Sequence, residues 1–89
     1  MAVLVTAEVP GMTSERYDAM IGLLGEKMRR SFGFLAHGAG MVDGVWQVVE
    51  LWETEEEATK WFAENVHPNL PEGITPKRTL VPLHHLITR

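Results

Sequence analysis

The sequence predicts an α+β fold with the element order β-α-β-β-α-β and one antiparallel four-stranded sheet. Three observations predict it. Residues 2–9 alternate with period two, as a strand does. Asp43-Gly44 separates two runs of strand-forming residues and is a strong hairpin signal. Two apolar stripes at helical spacing flank that hairpin, each preceded by a threonine able to cap a helix.

The first strand covers Ala2 to Val9, with Val3, Val5, Ala7 and Val9 on a dry face and Leu4, Thr6 and Glu8 on a mixed one. Pro10-Gly11 ends it. Thr13 offers a cap oxygen and Glu15 a charge that suits unpaired N–H groups. Tyr17, Met20, Ile21, Leu24 and Met28 then form the helical stripe, Arg29-Arg30 suit its C-terminal carbonyls, and Gly33 stops it. Gly22 and Gly25 inside this helix each cost about 1 kcal/mol relative to Ala, and close packing on the sheet would account for them. Thr54-Glu55-Glu56-Glu57 reads as a capping box, followed by Ala58, Trp61, Phe62 and Val66 as a core stripe that ends near His67-Pro68. A loop rich in turn-makers leads to a last strand from Lys77 to Ile87, in which Pro82 implies an edge position or a bulge.

A two-residue turn sets the hairpin register. Met41 should face Trp46, Ala39 Val48, His37 Glu50, and Leu35 Trp52, all on one side of the sheet. The other side carries Phe34, Ala36, Gly38, Gly40, Gln47, Val49, Leu51 and Glu53. The small residues suggest close approach of helices on that second side. The tryptophan side then lacks a covering layer within this chain, and a second copy of the chain would supply one.

Eighty-nine residues make one domain, 1–89, and a chain this short buries a modest share of its surface, which favours self-association. Cysteine is absent, which excludes disulfides and thiolate metal sites and fits a reducing cytoplasm. The net charge is −4, and the basic residues cluster only at Arg29-Arg30 and Lys77-Arg78. That is a poor footprint for nucleic acid. No apolar run approaches a membrane span, and residues 1–5 read as strand rather than signal peptide.

The order β-α-β-β-α-β at this length is the ferredoxin-like arrangement. Val9-Pro10-Gly11-Met12-Thr13 leading to Tyr17, Gly33-Phe34-Leu35-Ala36-His37, and the run from Asp43 to Thr54 resemble the dimeric α+β barrel proteins related to antibiotic-biosynthesis monooxygenases. The resemblance spans roughly the first 70 residues. It implies a homodimer with a cavity. The family's known activities are cofactor-free oxidation of aromatic polyketides, cyclisation, isomerisation and haem breakdown. Haem-degrading members use an Asn on the first strand, a Trp on the third and a His on the following helix. Trp52 matches the second position; the first strand has no Asn, and His67 lies just past the second helix.

Within that frame His37 and Glu50 are the candidate catalytic pair, because a carboxylate that orients an imidazole prepares a general base. Leu35, Met41, Trp46 and Trp52 share their face and are candidate walls for a flat organic ligand. The same residues also suit a dimer core. Trp61 and Phe62 are read as core. Tyr17 is read as packing, with its hydroxyl within reach of a cavity mouth, and Glu8 joins the site only if its face turns inward. Adjacent His84 and His85 point to opposite faces in a strand, and no spacing of metal ligands is present. The expectation is a small dimeric protein, free of metal and organic cofactors, that oxidises or cyclises a small aromatic or polyketide-like molecule. The alternative is a non-catalytic ligand-binding or scaffold dimer.

Overall fold

Asp43 and Gly44 both adopt positive φ, 50° and 82°, the geometry of a type I′ turn. Around that turn the computed structural model, which describes residues 1–89, pairs β2 (Phe34–Val42) with β3 (Val45–Trp52) in the predicted register from Val42/Val45 back to His37/Glu50. The register then slips between Phe34 and Ala36. Leu35 is the extra residue, and Phe34 takes its expected place opposite Trp52, meeting the indole edge-on at 5.4 Å between ring centroids. β1 (Val3–Val9) lies beside β3 and β4 (Lys77–Pro82) beside β1, so the sheet order is β2-β3-β1-β4, antiparallel throughout.

β4 is shorter than the sequence suggests. It ends at Pro82, which lacks the N–H needed to continue a ladder, and it occupies a sheet edge where that loss is tolerated. His84 and His85 lie beyond it and are exposed.

Both caps form as expected. Thr13 accepts from the Arg16 N–H at 3.2 Å at the start of α1 (Ser14–Arg29). Thr54 accepts from the Glu57 N–H at 3.2 Å at the start of α2 (Glu55–Trp61), and its hydroxyl donates to the Glu57 carboxylate at 2.8 Å. Beyond Trp61 the helix widens into a π-helical turn, Phe62–Val66, and closes with a 3-10 turn, His67–Asn69. Pro68 has no N–H to give back to the helix. The side-chain amides of Asn65 and Asn69 donate to the carbonyls of Trp61 and Asn65 at 3.4 and 2.7 Å.

The helices cover the opposite face from the one expected. Val3, Val5, Ala7 and Val9 of β1 stand opposite Trp52, Glu50, Val48 and Trp46 of β3. The dry face of β1 and the tryptophan face of the hairpin are therefore one surface. Leu24 and Met28 of α1, with Ala58 and Trp61 of α2, pack on it and bury Trp52 completely. A second cluster gathers Ala7, Val9, Met12, Trp46 and Ile74. The face with Ala36, Gly38, Gly40, Val49 and Leu51 has no helix over it, and a Cβ at Gly38 or Gly40 would meet nothing within 4 Å. Nor does close packing explain the glycines of α1: Gly22 is exposed with open space around it, and a Cβ at Gly25 would make only ordinary contact with Ile21.

Candidate functional site

Between the two core clusters the covered face turns polar. The row through Val5, Glu50 and His37 passes there, and hairpin register alone brings the imidazole to the carboxylate. His37 Nδ1 lies 2.7 Å from Glu50 Oε2. A carboxylate only accepts, so Nδ1 carries the hydrogen and donates. The second carboxylate oxygen, Oε1, accepts from the Trp52 indole N–H at 2.9 Å. Glu50 is only 9% exposed, and these two donors offset the cost of burying it.

The far side of the imidazole meets Tyr17. The tyrosine hydroxyl is 2.5 Å from His37 Nε2; in the tautomer that carries its hydrogen on Nδ1, Nε2 accepts from the phenol. The phenol ring also packs against Trp46, with centroids 5.0 Å apart. The result is a chain of hydrogen bonds, Tyr17 to His37 to Glu50, anchored by Trp52. Burial raises the Tyr17 pKa above its ordinary 10.0, and the Glu50 and Asp18 charges add to the rise. The phenol thus keeps its proton to higher pH than a free tyrosine does. Tyr17 comes from the first turn of α1 and is the lone hydroxyl in that helix's apolar stripe.

This chain lines a cavity of about 90 Å³ whose walls are mostly apolar, with Val5, Met20, Leu24, Trp46, Phe62 and Val66 among them. Of the residues expected to line a pocket, Trp46 does so. Trp52 lies behind Glu50 and positions it. Leu35, displaced by the bulge, and Met41 are 38% and 54% exposed and stand outside the cavity. Glu8 is exposed on the open face, opposite Gln47 and Lys77.

Arg78 is the wall residue that sequence reasoning did not single out. It stands opposite Ala7 on the covered face, and its guanidinium sits over the Phe62 ring, 4.0 Å from the centroid. The ion pairs of the chain join Arg29 and Arg30 to Glu26, and His37 to Glu50; Arg78 has none. Burial lowers its pKa below the ordinary arginine range, and the Glu50 charge only partly opposes that. The signal for it was period two: Arg78 shares a strand face with apolar Leu80.

Comparison with solved structures decides the fold. SnoaB, a cofactor-independent oxygenase from Streptomyces nogalater, superposes with a TM-score of 0.69 at 12% identity, over 99% of this chain and 97% of its own. A putative antibiotic biosynthesis monooxygenase from Deinococcus radiodurans gives 0.69 at 14% identity over 100% and 98%. The haem degrader MhuD from Mycobacterium tuberculosis gives 0.64 at 19% identity over 99% and 100%. The chain has the fold of the antibiotic-biosynthesis-monooxygenase-like proteins. No family model matches the sequence, and no curated protein does.

The residues do not fit haem. His37 is the only histidine lining the cavity, and both its ring nitrogens are engaged. His67, His84 and His85 are exposed. No group of three or more His, Asp or Glu side chains is arranged to hold a metal ion, and no helix is long and apolar enough to cross a membrane.

Proposed function

We propose that this protein is a cofactor-independent monooxygenase acting on a small aromatic, polyketide-like substrate with an acidic C–H or O–H group. The observation that carries the reading is the Tyr17–His37–Glu50 chain at the wall of an apolar cavity. A substrate hydroxyl that donates to the Tyr17 oxygen can lose its proton along that chain. Tyr17 passes its own proton to His37 Nε2, and the imidazolium is held against Glu50. The substrate is left as an electron-rich enolate or phenolate, which can react with dioxygen directly. At a CH₂ flanked by two rings the balance is simple. The carbon loses two hydrogens and gains one oxygen as a carbonyl, and the second oxygen leaves as water. The fold shared with SnoaB supports the choice of oxygenation over other uses of the same anion.

The test is aerobic conversion of an anthrone to the anthraquinone, followed by absorbance and oxygen uptake. Wild type should turn it over, and His37→Ala should lower the rate by about 10²–10⁴. Undiminished turnover in that variant removes His37 from the mechanism.

The size of the cavity favours a second reading. At about 90 Å³ it is smaller than the ~300–1,000 Å³ usual for ligand sites. A non-catalytic binding or scaffold protein with a filled interior would show the same closure. Absence of turnover across enolisable aromatic substrates would favour it. In either reading we propose a homodimer joined through the open face of the sheet.

A further inference from the structure

Hydrogen-bonding capacity within the cavity is unbalanced. Its one carboxylate, Glu50, already accepts from His37 and Trp52. Its donors are left over. The Trp46 indole N–H is buried without an acceptor, and an indole nitrogen can only donate. Trp61 buries a second orphan N–H, at the boundary between this cavity and a polar groove on its far side. Arg78 adds a half-buried guanidinium with no ion pair, resting on an aromatic ring. A buried donor without a partner costs roughly 1–3 kcal/mol, more if charged, so an occupant that brings acceptor oxygens into this space satisfies a cost already present.

We propose that Arg78 is the anion-binding residue of this cavity, receiving a phenolate or enolate oxygen of a planar ligand, with the Trp46 N–H as a neutral donor in the same space. This rests on the proposed relay, because removal of a substrate hydroxyl proton through Tyr17 leaves such an oxyanion. The two groups divide the work: the relay takes the proton, and Arg78 holds the charge left behind. Glu50 acts on Arg78 through its charge but does not bind it. It is committed to His37 and Trp52, and no ion pair joins it to Arg78. The geometry is that of charge stabilisation in a water-poor site, where a preorganised donor is worth far more than in solvent.

The probe is 4-nitrophenol, a single-ring phenol whose anion absorbs in the visible. Titrated in complex with wild-type protein, it should ionise at least one pH unit lower than free in solution, a tenfold gain in ionisation constant. Arg78→Met keeps the apolar stem against Phe62 and should return the bound probe to its free value or above. Arg78→Lys should keep part of the shift, since charge survives and the planar fork does not. Circular dichroism checks that each variant folds. His37→Ala should retain the shift. That outcome, read beside anthrone turnover, separates failure of the relay from failure of the anion site. No binding to wild type, an unshifted bound probe, or a shift lost with His37 and kept without Arg78 would overturn the proposal.

Discussion

Tyr17 is the residue on which the proton chain depends, and it can be observed alone because the sequence has a single tyrosine. Its raised pKa comes first from burial, then from the Glu50 and Asp18 charges. Spectrophotometric titration of tyrosinate should therefore place half-ionisation above 10.0 in the folded protein and lower it in Glu50→Gln, which removes one of those charges. The sign for stability follows. The folded state holds this proton to higher pH than the unfolded chain does, so stability is full below pH ~10 and falls as pH rises through the folded pKa. Tyr17→Phe should remove that alkaline loss. A titration midpoint at or below 10.0, or one that ignores Glu50, would contradict the hydrogen-bonded, buried phenol. At this scale the sequence was informative about His37 and Glu50, because a two-residue turn fixes what faces what. It was poor on Tyr17 and Arg78. Their roles depend on a helix and an edge strand arriving from elsewhere in the chain, and no local spacing encodes that meeting.

The elements show the same division between local and long-range information. Caps, the hairpin turn and the first helical stripe are written within a few residues and are found where the sequence puts them, while the second stripe passes from α-helix into a π-helical turn at Phe62. The covered side of the sheet is not local. It follows from the β1–β3 pairing, which sets Val3, Val5, Ala7 and Val9 beside Trp52, Glu50, Val48 and Trp46. Gly38 and Gly40 looked like seats for helices and instead face open space. The bulge at Leu35 had no signal in the turn-based register, since it lies at the far end of the hairpin from the turn. Gly22 offers a clean test of α1. It is exposed, in helical conformation, with room for a Cβ, so it contributes flexibility to the unfolded chain and no contact to the folded one. Gly22→Ala should stabilise the protein by about 0.5–1 kcal/mol in urea denaturation. No gain, or a loss, would mean that this helix surface packs against something outside the chain.

For the whole molecule, the open face of the sheet is the main uncovered surface, and the proposed homodimer would cover it. Val49 and Val81 are 45% and 44% exposed there, with Leu4 and Leu51 half-buried beside them. The molecule presents 6078 Å² to solvent. A folded monomer of 10.0 kDa is expected to present about 5,200 Å². The excess, roughly 900 Å², is of the order of what each partner buries in a standard interface, and the exposed segment after β4 contributes to it. Gly38 and Gly40 fit this arrangement, since a sheet without side chains at those positions lets another backbone layer come near. The tryptophans expected to form the contact are instead the monomer's own core, so the argument for the dimer rests on Val49 and its neighbours and separates from the argument for the site. Sedimentation velocity should give twice the chain mass for the wild type. Val49→Lys should raise the dissociation constant at least tenfold, about 1.4 kcal/mol, while leaving the far-ultraviolet circular dichroism unchanged. Because the Tyr17–His37–Glu50 chain lies on the opposite side of the sheet, its hydrogen bonds need nothing from a partner, and the Tyr17 titration should survive in the dissociated variant. A wild type that sediments as a monomer at every accessible concentration would sink the dimer and leave the cavity chemistry standing.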